Sequence, residues 1–245
     1  MEAAELALFM ISALLFSSLL EHPASPLRAA VPDPFLRRAL MGMAMGATAV
    51  AIIYSPWGKR SGAHFNPAVT LTFLRLGKVE PSDALFYVIF QFLGGFLGVL
   101  LARALLGMVV ANPAVKYAAT LPGPRGTGPA FMAEAVISFV LMLVLLLVSN
   151  TRRLARLTGM CAGVLVASYI AFEAPISGMS MNPARTLASA VPAHAFTDLW
   201  IYFVAPPLGM LLAAQAFVGL RGSRAVACAK LHHQNPARCI FRCGY

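Results

Sequence analysis

The residues best suited to chemistry fall in two strings that repeat each other. Ser61-Gly62-Ala63-His64-Phe65-Asn66-Pro67-Ala68-Val69-Thr70-Leu71 and Ser177-Gly178-Met179-Ser180-Met181-Asn182-Pro183-Ala184-Arg185-Thr186-Leu187 agree without gaps at seven of eleven positions. Asn is a preferred helix cap, and Pro belongs at the first helical position, where its missing N–H costs nothing. Each Asn-Pro-Ala therefore starts a helix. The apolar stretches that follow, about Val69 to Leu76 and Arg185 to Val191, are about eight residues long. They reach about 12 Å, under half the hydrocarbon thickness of a bilayer. Ahead of each helix lies a Ser-Gly-x-x-x stretch whose carbonyls lack helical partners. Such backbone is tolerated at membrane depth only where protein buries it or where it lines a wet cavity. The chemistry on offer is that of a fixed polar lining, with two positive helix ends and an arginine beside one of them. No residue needs to change covalently. There is no Gly-rich phosphate loop with Lys and no helix with a paired acid and base, so the sequence does not read as an enzyme.

The elements that must position these strings follow from composition. Of 245 residues, 59% are hydrophobic and 11% charged, and the mean hydropathy of +0.76 excludes a disordered chain. Roughly 25% charged is ordinary for a soluble domain. Apolar runs at about 4–21, 36–55, 83–110, 129–149, 158–174 and 197–220 predict six membrane-crossing helices. Small residues recur in them, as in Gly42-x-x-x-Gly46 and Gly94-Gly95-x-x-Gly98, where backbones can approach closely. Both repeated strings follow the second span of a three-span half. An odd number of spans inserts the second half upside down, so the fold class is all-α with two inverted repeats, about 1–115 and 125–220. Asn112-Pro113-Ala114 and Asn235-Pro236-Ala237 lack the Ser-Gly lead-in and read as ordinary turns or caps.

The net charge of +10 comes from residues between the spans and beyond the last one, with no basic stripe interleaved with aromatics. Membrane topology, not nucleic acid, is its reading. With a cytoplasmic N-terminus, twelve Lys and Arg fall on the inside and five outside, which predicts both termini in the cytoplasm of a multi-pass protein in a plasma or inner membrane. Met-Glu-Ala-Ala-Glu carries no basic region ahead of the apolar run, so the first span is expected to stay uncleaved. Residues 221–245 form a basic tail with Cys228, His232, His233, Cys239 and Cys243. Thiolates with imidazole suit zinc, and Cys228, His232, Cys239 and Cys243 are the candidate set. The alternative is a tail of reduced thiols near anionic lipid. No cofactor is expected elsewhere.

On these two strings the sequence closely resembles the aquaporin, or major intrinsic protein, family. The resemblance covers about residues 4–220. It implies six tilted helices, two half-helices meeting end to end, a homotetramer with one pore per subunit, and passage of water and small neutral solutes. It implies that Asn66 and Asn182 offer side-chain N–H groups to a passing water and that both motifs, with Pro67, Ala68, Pro183 and Ala184, interrupt a proton-conducting water wire. Arg185 corresponds to the family's narrow filter; the alternative is an arginine snorkelling to the surface. The remaining filter positions fall at Ile170, Met179 and Met45, with Gly46 as the neighbour to Met45 because of one extra residue near Ser55-Pro56-Trp57-Gly58. His64 either lines the pore or is buried against backbone. Glu5 and Glu134, both in Ala-Glu pairs, are implied to brace the re-entrant loops by accepting backbone N–H groups.

The resemblance points nearer to the water-channel branch. Thr186 and Leu187 stand where glycerol facilitators typically carry Asp and a basic residue, and Tyr202-Phe203 resembles the aromatic pair of water channels. Ile170 stands where many water-selective members place His, which removes a donor. Ammonia and hydrogen peroxide are further candidate solutes, and glycerol is the second reading. An inverted-repeat secondary transporter is the rival from another class; it would need a coupling site at the midplane, for which only Glu5 and Glu134 are available. A third possibility is a structural, junction-forming or metal-sensing relative, with the tail as its working part.

Overall fold

A computed structural model describes residues 1–244. Eight helices carry the architecture: α1 (Glu2–Glu21), α2 (Pro34–Tyr54), α3 (Pro67–Arg75), α4 (Pro81–Leu106), α5 (Thr127–Ser149), α6 (Thr158–Phe172), α7 (Pro183–Ala193) and α8 (Ile201–Arg221). Six helical stretches among the described residues are long and apolar enough to cross a membrane, and they coincide with the six predicted runs within a few residues. Chain punctuation sets their starts. Pro occupies the first turn of α2, α3, α4 and α7, and the Asp33 carboxylate caps α2 by accepting the Leu36 N–H at 2.7 Å.

The two halves are α1 to α4 and α5 to α8, each with two spans, a half-helix and a third span. Helix α1 packs along α4, α5 along α8, and α2 along α6 across the halves. Glycines make these approaches close. A Cβ at Gly94 would lie 2.2 Å from the Ala3 carbonyl oxygen, and one at Gly98 would lie 2.6 Å from that of Ala7. Gly46 and Gly163 meet in the same way across α2 and α6, where a Cβ on Gly46 would lie 2.4 Å from the Gly163 carbonyl. With little hydrophobic driving force between helices in lipid, such backbone contact is a main source of association.

Each half-helix packs against the last span of the opposite half, α3 on α8 and α7 on α4. The outward face of α4 exposes Leu85, Phe86, Ile89, Leu97, Leu100 and Leu105, as a lipid-facing surface should. Beyond α8, the chain from Gly222 to Gly244 holds a single short 3-10 turn, Ser223–Ala225, among its described residues. It nevertheless folds back onto the bundle. Val226, Ala229 and Leu231 are buried in the cluster that contains Phe73, Val79 and Ala84.

Candidate functional site

The site is built where α3 and α7 begin. Asn66 caps α3: its Oδ1 accepts the Ala68 N–H at 2.9 Å. Asn182 caps α7, and its Oδ1 accepts from Ala184 and Arg185 at 3.1 and 3.2 Å. The other end of each amide crosses to the opposite loop. Asn66 Nδ2 donates to the Met181 carbonyl at 2.7 Å, and Asn182 Nδ2 donates to the Phe65 carbonyl at 2.8 Å. The two half-helices thus meet by their N-termini through a reciprocal pair of bonds. Each amide nitrogen carries two hydrogens, so one N–H of each remains for a ligand. The other two Asn-Pro-Ala strings make the same local bond, from Ala114 to Asn112 and from Ala237 to Asn235, but neither starts a half-helix.

The lead-in loops adopt one conformation twice. With Asn66 set on Asn182, Gly62, Ala63 and Phe65 match Gly178, Met179 and Met181, and all six have positive φ. For the four residues other than glycine this is strained by about 1–3 kcal/mol each. Buried carboxylates hold the strain in place. Glu134 accepts from the Ser180 and Met181 N–H groups at 2.7 and 2.8 Å and from the Ser177 hydroxyl at 2.8 Å. In the first half two residues divide this work. Glu2 accepts from the His64 and Phe65 N–H groups at 3.1 and 2.7 Å, and Glu5 accepts from the Ser61 hydroxyl at 2.6 Å. The expectation that Glu5 takes the backbone N–H groups is therefore corrected. Glu2 lies one turn earlier on the same helix face, and from there its carboxylate meets those donors. Gln91 of α4 steadies Glu2 by donating to it at 2.6 Å. Tyr87 and Tyr202 donate to the carbonyls of Ser61 and Ser177 at 2.6 and 2.5 Å. Glu2, Gln91 and Tyr87 were not singled out from sequence; the spacing of Glu2 and Glu5 on one face was the available signal.

A cavity of about 260 Å³ runs past this junction. Its wall includes Arg38 near the start of α2 and Ile53 near its end, which at 1.5 Å per residue is a depth of about 22 Å. Met45, Ile170, Met179 and Arg185 all line it, together with both asparagines. Met45 and not Gly46 faces the cavity, because Gly46 is pressed against Gly163 of α6. Arg185 makes no salt bridge among the described residues, and its buried Nη1 has no protein partner. His64 borders the cavity but both ring nitrogens are engaged, Nδ1 with the Thr70 hydroxyl at 3.1 Å and Nε2 with the Ala229 carbonyl at 2.8 Å. It is stacked between Phe73 and Phe241.

In the tail, the ligand atoms of Cys228, His233, Cys239 and Cys243 lie within 4.8 Å of one another. His232 was the expected histidine, and the structure replaces it with His233. The His232 ring is turned away, edge-on to Tyr54 with centroids 4.9 Å apart. Burial pushes the Cys228 thiol above its ordinary range. Burial, followed by the charge of Lys230, holds His233 below the usual imidazole value. Cys161 is a free, half-buried thiol in α6.

Comparison with known proteins agrees with this geometry. The profile of the family described as "Major intrinsic protein" matches residues 6–217. Aquaporin NIP2-3 of Zea mays is 38% identical over 187 residues, which is 76% of this chain and 60% of that protein. The "Probable aquaporin NIP-type" of Nicotiana alata is 35% identical, covering 71% of this chain and 62% of its own length. Glycerol uptake facilitator protein-like 6 of Lactiplantibacillus plantarum is 35% identical over 71% of this chain and 81% of its own. The matched region thus spans about three fifths of the two plant proteins. Among solved structures, the aquaglyceroporin of Plasmodium falciparum superposes with a TM-score of 0.70 at 19% identity, over 88% of this chain and 92% of that one. At that identity the likeness is one of fold.

Proposed function

The chain belongs to the major intrinsic protein family of membrane channels, and from that premise we propose that it conducts water passively along the cavity between its two halves. The observation that carries this reading is the reciprocal Asn66–Asn182 junction set in the wall of a continuous cavity. Two helix N-termini converge there, and their partial positive charges disfavour a cation. The spare amide N–H of each asparagine orients a water oxygen, which breaks the donor chain that a proton would follow. Arg185 adds a full positive charge at the constriction and a donor for the permeant. Met45, Ile170 and Met179 supply no hydrogen bond, so a solute is held from the polar side only.

That amphipathic collar also favours a second reading. A small polyol such as glycerol could lay its carbon face on Met45, Ile170 and Met179 and its hydroxyls toward Arg185. The secondary-transporter reading loses its basis, since Glu5 and Glu134 are engaged in holding loops. Both termini belong on the cytoplasmic face in this reading, as the excess of Lys and Arg indicates. Lys59, Arg60 and Arg238 border one surface pocket together with Met1, which places them on a single face. The exposed apolar faces suit lipid and neighbouring copies in a homotetramer.

The test is osmotic shock of liposomes containing the purified protein, followed by light scattering. Fast shrinkage with low activation energy and no need of a proton or sodium gradient is the expected result. Faster glycerol than water entry would move the assignment to the polyol. Flux that depends on an ion gradient would overturn the channel mechanism proposed here.

A further inference from the structure

We propose that Cys228, His233, Cys239 and Cys243 form a tetrahedral divalent-metal site of the zinc type, which clasps the tail into a cap at one mouth of the cavity. Three thiols and one imidazole are the donor set that zinc takes in closed structural sites, with Zn–S near about 2.3 Å and sulfurs therefore about 3.8 Å apart. The four ligand atoms already approximate this arrangement. Cys228 Sγ and Cys239 Sγ are 3.4 Å apart, His233 Nε2 and Cys243 Sγ are 3.0 Å apart, and all four fall within 4.8 Å. No disulfide joins them. Outer contacts of the expected kind surround them. The Lys230 N–H donates to Cys228 Sγ at 3.5 Å, and the buried Lys230 ammonium donates to the Ala237 carbonyl at 3.0 Å, within the loop that the ligands close.

A second observation is that residues 228–232 have no regular structure yet are buried. Cys228, Ala229, Lys230, Leu231 and His232 are all largely removed from solvent. A short irregular stretch needs a staple to stay ordered, and a metal supplies one. What it holds is the cap. The Leu231 N–H donates to the Gly62 carbonyl at 3.1 Å, His64 Nε2 donates to the Ala229 carbonyl, and Phe241 stacks on His64 with centroids 5.5 Å apart. Leu231 itself lines the cavity. The metal would thus fix the tail against the loop that presents Asn66. The site stands whether or not the passage carries water.

The test uses the full chain in detergent, purified without chelator. Elemental analysis is expected to give one zinc per chain. After removal, cobalt(II) should restore thiolate charge-transfer and tetrahedral visible bands, and zinc should rebind tighter than about 100 nM. Cys239→Ser and Cys243→Ser should each lose the metal, whereas Cys161→Ser should keep it. Cys243 is exposed, so its replacement is expected to spare the transmembrane bundle, and a monodisperse elution checks this. Chelation should also speed trypsin cleavage after Arg238 and expose the tail thiols to alkylation. Absence of tetrahedral cobalt bands, a Cys228–Cys239 disulfide in freshly purified protein, or undiminished metal in both serine variants would overturn the proposal.

Discussion

Glu2 accepts the backbone N–H of Phe65 at 2.7 Å, which ties the first turn of α1 to the residue just before the Asn66 cap. Because Phe65 offers its carbonyl to Asn182 at 2.8 Å, the carboxylate steadies a residue that both halves use. Glu2→Ala would strand three donors, the His64 and Phe65 N–H groups and the Gln91 amide, whereas Glu5→Ala would strand the single Ser61 hydroxyl. Each buried donor left unsatisfied costs about 1–3 kcal/mol. Glu2→Ala is therefore expected to lower the temperature at which the detergent-solubilised protein loses its monodisperse peak, and more than Glu5→Ala does. The reverse order would show that backbone bracing at Glu2 is not what supports the loop.

Glu134 stands alone where Glu2 and Glu5 share the task. Glu134→Gln is expected to retain part of the bonding, because one oxygen still accepts, while its NH2 faces a donor it cannot accept from. Water flux should fall in the order wild type, Glu134→Gln, Glu134→Ala. Thermal stability should follow the same order. Equal flux in all three would separate loop bracing from conduction.

Arg185 lines the cavity with Met45, Ile170 and Met179, and its Nη1 has no protein partner among the described residues; in the proposed function these four residues form the filter. A net hydrogen bond to a charged group is worth about 1.5–3 kcal/mol. Arg185→Ala, which also widens the passage, is expected to raise the ratio of glycerol to water permeability about tenfold or more, since about 1.4 kcal/mol corresponds to a factor of ten. Parallel osmotic-shock measurements with the two solutes give the ratio directly. An unchanged ratio would remove Arg185 from the filter.

The fold was legible because membrane elements are governed by local rules. Apolar length marked the six spans, and Asn-Pro-Ala after Ser-Gly marked both half-helix starts. What escaped depended on side-chain direction and on contacts distant in sequence. Met45 and Gly46 could not be separated by counting, since the phase of α2 is fixed by Gly46 against Gly163 of α6. Glu2 has no local partner that would mark it, because its donors come from the His64 and Phe65 loop more than sixty residues away. His232 and His233 are adjacent, and in a segment without regular structure no periodicity says which of them turns toward the cysteines. That Leu231 lies against the Gly62 carbonyl was equally hidden, because nothing local in the tail announces where it docks.

Helix association offers a prediction independent of the cavity. A Cβ at Gly94 would lie 2.2 Å from the Ala3 carbonyl oxygen and 2.5 Å from its Cα, both backbone atoms that cannot rotate away. Gly94→Leu is expected to push α4 off α1 and reduce the yield of folded protein sharply, since overpacking costs typically about 1–3 kcal/mol and occasionally more. Gly219→Leu is the control: nothing lies within 4 Å of its Cβ, and it sits on α8 with no positive φ. Comparable losses in both variants would argue against close α1–α4 packing as the cause.

Leu231 connects the tail to the passage. It is 4% exposed, belongs to the main buried cluster, donates its N–H to the Gly62 carbonyl, and still contributes to the cavity wall. Enlarging it should narrow that mouth without touching Arg185 or the asparagines. Leu231→Trp is therefore expected to reduce water flux several-fold while leaving the glycerol-to-water ratio set by the distant constriction largely as it was. Leu231→Ala removes buried methyl groups at a cost of about 2–5 kcal/mol, and that cost falls on the docked tail, not on the transmembrane bundle. Faster proteolysis of the tail with undiminished or increased flux is the expected signature. If Leu231→Ala instead abolished conduction, the tail would be supporting the Gly62 loop and not merely bordering the mouth, and the loss should then be matched by Phe241→Ala, whose ring stacks on His64 in the same loop.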